Sequence, residues 1–455
     1  MSIPSRRSFL ATAIAAAATP SLAAVGGFDQ VDIAVVGAGA AGIAAARRIA
    51  AARRRVVVIE AADRIGGRCF TDTTSFGVPV DRGAHWIHVP DLNPLMRLAP
   101  QAGIEVAQAP PGQKIRIGPR NAREGEMEDY LAALVRATRA IGDVAARGRA
   151  DIAAAQVLPK DLGDWRATIE FALGPYGCTK DLAEVSAVDL ARAVPRDLEA
   201  FCRQGLGTLI DKLAQGLPVQ RGTAVRAMDL AVRGGVEIAT TRGILNARGV
   251  IVTASTNVLA ANKIRFDPEL PRRHVDAFNR LALGSYDRII LELPGNPLGL
   301  DRDDLVFEQA RGTRTAALLA NVGGSSLALV DVGGKFGREL AAQGEPAMIA
   351  FALDWLAGLF GSDLRRTVQR TAATRWNDDP WVLGASSVAA PGNEPARRTL
   401  MEPVRERLWF AGEAAHETLW GTVGGAWESG ERAAEAALKR LGGASEPREP
   451  VRRRR

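Results

Sequence analysis

"VDIAVVGAGAAGIAAARRIAAARRRVVVIEAADRIGGR", residues 31–68, begins as a nearly continuous apolar strand and runs into Gly37-x-Gly39-x-x-Gly42. An alanine-rich helix follows, then a second strand, VVVIE, which ends at Glu60. A lone GxGxxG says little in a chain with 47 glycines, but here strand, turn, helix and second strand stand in the right order. Gly37 permits the tight turn, Gly39 lets the backbone approach a pyrophosphate, and Gly42 lets the helix pack against the strand. The helix N-terminus offers free N–H groups and the positive end of its dipole to phosphates. Glu60 is placed to accept hydrogen bonds from a ribose hydroxyl pair, which argues against a 2′-phosphate there. The stretch predicts a Rossmann-like α/β domain binding a dinucleotide; the motif does not choose between NAD and FAD.

The chain around it has 455 residues, 47% hydrophobic and 24% charged, enough for a large core and two or three domains. Its net charge of +7 comes from scattered arginines with no repeating aromatic-basic stripe, so nucleic acid is not an expected partner. The dense basic cluster is the tail EPREPVRRRR, taken with residues 444–455 as a disordered extension. Residues 1–24 pair Arg6 and Arg7, then run through weakly apolar alanines to a small-residue cleavage context. The run is too short and too weakly apolar for a membrane span. SRRSFL resembles a twin-arginine export signal, which carries folded, cofactor-loaded proteins and implies a periplasmic or secreted product; an organellar transit peptide is the alternative. Cys69, Cys178 and Cys202 are few and odd in number: Cys178 and Cys202 can pair, but three buried free thiols fit better. Four histidines without paired spacing predict no metal site.

After Glu60, ADRIGGR brings Arg64 and Arg68 to the ribose end, where guanidinium groups can serve a pyrophosphate. GxGxxG, then Glu, then RxGGR resembles the flavin-dependent amine oxidases, a family that includes polyamine oxidases, L-amino-acid oxidases and, more distantly, phytoene desaturases. The resemblance covers nearly all of residues 31–441. It implies FAD, non-covalent because Ala385 stands where some members anchor it through a cysteine, and a substrate that is a small amine oxidised to an imine, with O2 or another acceptor taking the electrons.

The resemblance also places residues. Gly83, Ala84, His85 and Trp86 would form a turn against the flavin ring, Val225 would contact the adenine through its backbone, and His88 would face substrate. Near the C-terminus, FAGE and GTVGGAWESG match the family's flavin segment. Gly412 and Glu413 would lie beside the ribityl-pyrophosphate portion, and Thr422 and Val423 beside the pyrimidine end of the ring. After GTVGGA an amphipathic helix is expected from about Gly424, with a glycine start that lacks a side-chain cap and is aimed at the charge of reduced flavin.

Four positions depart from the family pattern. The lysine that relatives place near flavin N5 corresponds to Arg288, which stays charged and cannot act as a tunable amine. A cysteine that anchors flavin covalently in some members corresponds to Ala385. Two tyrosines that frame the amine correspond to Ser386 and Thr422. Tryptophans gather in the last part of the chain: Trp376 is expected beside the cofactor and Trp420 beside the substrate amine, whereas Trp409 and Trp427 are expected to be packing residues.

Residues 122–203 are mostly helical in pattern and read as an insertion covering the site. Residues 205–255 read as short strands broken by Gly-Gly and Arg-Gly turns. The expected organisation is an FAD-binding domain from 28–95, 204–265 and 395–443, interleaved with an α+β substrate domain from 96–203 and 266–394 that carries the helical insertion. Two alternatives stay open: a flavin-fold binding partner without turnover, and a desaturase-like enzyme on an apolar substrate.

Overall fold

The computed structural model describes residues 31–148, 150–196 and 198–442. The twin-arginine stretch and the basic tail lie outside these residues. The strand Val31–Val36 pairs in parallel with Val56–Ile59 on one side and with the long strand Gly243–Val252 on the other. The sheet continues outward through Val219–Gln220 at one edge and through Val236–Thr240, Val225–Asp229 and Arg265–Asp267 at the other. Leu408–Phe410 joins it beside Val250–Val252. The pattern has a direct cause: a parallel strand covered on both faces is largely apolar, and in Val31–Val36 the one polar residue, Asp32, is half-buried while the rest are buried.

Helix Ala40–Ala51 lies on one face of this sheet and packs along the last helix, Val423–Arg440. A Cβ at Gly430 would stand 2.0 Å from the Ala41 carbonyl oxygen, so the glycine sets how closely the two helices approach.

A second sheet of seven strands has the order Thr371–Ala373, Tyr286–Glu292, Leu327–Gly333, Ala317–Ala320, Asp304–Glu308, Lys114–Ile117, Arg120–Asn121. Its residues alternate as a two-residue period requires. Ile289, Leu291 and Val306 join the core under helices Gly334–Ala342 and Glu345–Phe360. Tyr286, Arg288, Leu305 and Phe307 line a cavity.

The 23-residue helix Glu124–Ala146 closes that cavity. Its buried positions Tyr130, Ala133, Ala137, Ile141 and Val144 recur every three or four residues, as a helix seated on a core demands.

Two elements differ from the sequence expectation. Residues Leu206–Leu213, read as part of a strand region, form a helix whose Leu206, Leu209, Ile210 and Leu213 are all buried. The helical insertion gives way to a strand, Glu199–Cys202, which pairs with Trp86–His88 and Val106–Gln108. In both places the sheet partner, or its lack, decides over local pattern. Cys69, Cys178 and Cys202 are buried free thiols, so the Cys178–Cys202 pairing does not form.

Candidate active site

A single cavity of about 980 Å³ runs from the first βα turn to the underside of helix Glu124–Ala146. At its nucleotide end Gly37 and Gly39 form the floor. Glu60 accepts the amides of Ala38 at 2.6 Å and Ala62 at 2.8 Å. Burial raises the Glu60 pKa, and these amides only partly offset it. Thr223, Ala224, Val225 and Ile264 extend the lining beyond Glu60.

Whether a dinucleotide fits this floor is decided at Gly39. Its φ of −77° suits any residue, and a Cβ there would meet no protein atom closer than 3.7 Å. Neither strain nor packing calls for a glycine. What the missing side chain preserves is space within the cavity, as a pyrophosphate seated on the helix N-terminus needs. Gly42 lies off the cavity: a Cβ would stand 1.8 Å from the Gly37 carbonyl oxygen, so its role is helix–strand contact.

The middle of the cavity is built by two arginines and the turn after Asp81. Arg68 donates to Glu413 at 2.8 Å and to the Ala385 carbonyl. Glu413 also accepts from the Ser387 amide and hydroxyl and from the Gly421 amide. Burial works against the Glu413 carboxylate, yet Arg68 and Ser387 outweigh it and hold the group below the usual carboxylate range. Arg64 donates to the Gly67 carbonyl and lies 4.6 Å above the Phe70 ring. The turn Gly83–Trp86 lines the cavity, with Trp376 donating to the Arg82 carbonyl beneath it. His85 is held by Asp81 at 2.9 Å and stacks on Phe201, while its buried Nε2 has no partner among the described residues.

Arg288 lines the cavity but is not free. Its Nε and one terminal nitrogen grip Asp331 at 2.8 and 2.9 Å, and the other donates to the Asp81 carbonyl at 2.8 Å. Burial alone would lower its pKa; Asp331 reverses this and raises it, so the side chain is a permanent cation that clamps the turn. The geometry makes Arg288 a positioning residue.

At the far end, His88 and Glu199 are opposed residues on adjacent strands, 2.9 Å apart, at an angle short of a hydrogen bond. Around them stand Trp86, Tyr176, Tyr286 and Phe307, with Tyr176 and Phe307 edge to face at 5.0 Å. Both tyrosines are pushed well above their ordinary pKa by burial and stay protonated. Glu199, Tyr176, Tyr286, Phe307 and Asp331 were not singled out in the sequence. Their one signal was position in the helical insertion and in strands of the second sheet.

The structure corrects the expectations for the C-terminal segment. Trp420 lines the cavity wall but is fully buried: its ring carries Arg397 at 4.6 Å and Arg196 at 5.1 Å, and its Nε1 donates to the Asp189 carbonyl. That ring already serves two guanidinium groups and is a packing residue, as are Trp409 and Trp427. The last helix starts at Val423, and Thr422 caps it by accepting the Gly425 amide at 2.9 Å, so the uncapped glycine start is not what forms. A Cβ at Gly425 would meet the Leu419 carbonyl at 2.1 Å, so this glycine serves a protein contact. Gly412, Glu413, Thr422 and Val423 do line the cavity.

Residues 40–438 match the family described as flavin containing amine oxidoreductase. The chain belongs to this family. Lysine-specific histone demethylase 1B of Mus musculus is 27% identical over 88% of this chain and 52% of its own length. Polyamine oxidase 4 of Oryza sativa subsp. japonica is 26% identical, over 90% of this chain and 89% of its own. The chain thus spans about half the length of that demethylase. Cyclohexylamine oxidase from Brevibacterium oxydans IH-35A shares the fold with a TM-score of 0.76 at 22% identity, covering 90% of this chain and 99% of that one. A putrescine oxidase bound to putrescine has a TM-score of 0.77 at 20% identity and the same coverage. Membership of this family implies a flavin cofactor. Among the described residues no helix is long and apolar enough to cross a membrane.

Proposed function

We propose that the protein is an FAD-dependent oxidoreductase that converts an amine to an imine, which water then hydrolyses to a carbonyl compound. The carrying observation is the continuity of one cavity from the Gly39 and Glu60 seat, past the Gly83–Trp86 turn, to a chamber walled by Trp86, Tyr176, Tyr286 and Phe307. A bound flavin would supply the hydride acceptor for the carbon bearing the neutral amine, with O2 or another acceptor taking the electrons.

The chain's residues bind, orient and exclude water. Glu60 would hold the ribose, Arg64 and Arg68 the pyrophosphate region, and Val423 and Gly424 offer amides that have no acceptor among the described residues. Arg288 fixes the Gly83 turn through two backbone carbonyls. The aromatic wall excludes solvent and favours an amine over its faces. Glu199, beside His88, is placed to receive a proton from an incoming ammonium, which must be neutral before its carbon gives up a hydride. Non-covalent FAD is supported by Ala385 on the cavity wall, which has no nucleophile, and by burial pushing the nearby Cys69 thiol up to about 12. Export through the twin-arginine machinery to the periplasm or beyond belongs to the same proposal and rests on SRRSFL.

Anaerobic mixing of the yellow holoprotein with primary amines, diamines, polyamines and amino acids tests it. Bleaching of the flavin by at least one amine is expected. Bleaching by none, with dithionite still reducing the flavin, would overturn it.

A further inference from the structure

His416 lies between the short turn Glu413–Ala415 and the cavity-lining residues 420–423, and its side chain is 12% exposed. Its Nδ1 accepts two backbone amides at once, those of Thr418 at 3.3 Å and Leu419 at 3.0 Å. A ring nitrogen that accepts carries no proton. The network therefore assigns the neutral tautomer with its proton on Nε2, which donates to Glu428 at 3.1 Å.

The segment held in this way bears on the cavity through two carbonyls. That of Thr418 accepts the Val194 amide at 3.0 Å, and Val194 lines the cavity. That of Leu419 accepts the Thr422 hydroxyl at 2.7 Å and the Thr422 amide at 3.3 Å. Thr422 caps the last helix, whose first amides, at Val423 and Gly424, face no acceptor among the described residues. One imidazole nitrogen thus stands at the head of a chain of contacts that ends at the cofactor seat.

Charged groups approach the ring from every side. The last helix brings Glu428 and Arg432, and Arg432 donates to the Ala415 carbonyl. Glu417, in the turn itself, pairs with Arg398 of helix Ala396–Met401 and feels Arg192. Behind the ring, Glu413 is taken up by Arg68. Burial holds the His416 pKa below its ordinary value, and Glu428 offsets this only in part. The ring is therefore uncharged at neutral pH. A proton on Nδ1 would set an N–H against two N–H donors, and both amides would lose their acceptor.

We propose that His416 is a positioning residue for the cofactor seat and an acid-sensitive latch on it: the neutral Nδ1 holds the segment that sets Thr422 and the start of the last helix, and a proton there releases that segment and weakens FAD binding. The proposal rests on the reading of this end of the cavity as the flavin seat.

The test follows the FAD dissociation constant, from free FAD in ultrafiltrates of diluted holoenzyme, and the ring protons, from NMR of 15N-histidine-labelled protein, between about pH 8 and about pH 5. Asparagine is the control, because its Oδ1 accepts the amides two and three residues on and does not titrate. Near pH 8 the wild type should show one ring with a bare Nδ1 and a protonated Nε2, a signal absent from His416→Asn, and the two proteins should bind FAD equally. As that ring takes up its second proton, below 6.5, the wild type should weaken by at least about 10-fold relative to His416→Asn, or ~1.4 kcal/mol. His416→Leu, which fills the space without an acceptor, should bind FAD about 10-fold more weakly at every pH while keeping a cooperative melting transition. A wild type and asparagine variant that lose FAD in step, a leucine variant that binds like the wild type, or a proton found on Nδ1 near pH 8 would each overturn the proposal. FAD binding near pH 8 that ignores the His416 titration refutes the latch alone, whereas a wild type that binds no FAD at any pH refutes the flavin seat itself.

Discussion

Replacing Gly39 by alanine separates the seat of the cofactor from the stability of the fold. The backbone at Gly39 is extended, and the new methyl would find no protein atom within 3.7 Å, so the unliganded protein should change by less than about 1 kcal/mol. The methyl instead enters the space kept for the pyrophosphate. A loss of roughly 100-fold in FAD affinity, ~2.8 kcal/mol, is expected. At an FAD concentration about 100 times the wild-type Kd, binding adds ~2.7 kcal/mol of stability to the wild type and only ~0.4 kcal/mol to the variant. With an unfolding entropy of ~0.9 kcal/mol/K for some 400 ordered residues, that difference appears as a Tm gap of roughly 2–3 °C. Differential scanning fluorimetry with and without FAD reads it directly. The control is Gly42→Ala, whose Cβ would lie 1.8 Å from a backbone oxygen: it should lower the Tm of the apoprotein itself, by overpacking worth about 1–3 kcal/mol. A Gly39→Ala protein that gains the same FAD-induced Tm shift as the wild type would refute the seat.

Other perturbations address the support of the site. Trp420→Ala should cost about 3–5 kcal/mol in urea denaturation, the range for a buried aromatic, and Trp420→Phe should leave the Kd of small amines unchanged; a selective loss of amine affinity in the phenylalanine variant would restore Trp420 to the substrate wall. Arg397→Met leaves Asp189 charged, buried and unpaired, and should cost about 3–5 kcal/mol, much of it recovered when Asp189 is also made apolar. Burial pushes the Asp287 carboxyl up to about 6 from 3.8, against the Trp376 amide and the Thr374 hydroxyl. The folded protein then binds more protons than the unfolded chain between those values, so unfolding free energy should fall by ~3 kcal/mol as pH rises from about 4 to 6 and then level off. In Asp287→Asn that slope should be missing from denaturation midpoints measured across the same range.

What could be read from the sequence was local. Gly37, Gly39, Gly42 and Glu60 belong to one strand–turn–helix–strand unit, where a fixed backbone geometry dictates residue type at each step. The last helix was placed within a residue, but its start was misread. A run of glycines looks like an open anion seat until Leu419 and Ala41 are seen pressing against Gly425 and Gly430. Of the chamber, only Trp86 and His88 were singled out in the sequence. Tyr176 comes from the insertion, Tyr286 and Phe307 from the second sheet, and Glu199 from a strand that forms only because Trp86–His88 offers it an edge. Trp420 was ambiguous because nothing in its neighbourhood along the chain announces Arg196 and Arg397.

The most direct measurement is a single anaerobic turnover of the FAD-loaded enzyme with one equivalent of a reactive amine deuterated at the carbon beside nitrogen. Bleaching of one equivalent of flavin, slower than with the protiated amine by a primary isotope effect, and release of one equivalent of carbonyl product are expected. Bleaching without a carbonyl product, or no bleaching by any amine in a protein that binds FAD, would contradict amine oxidation in this cavity.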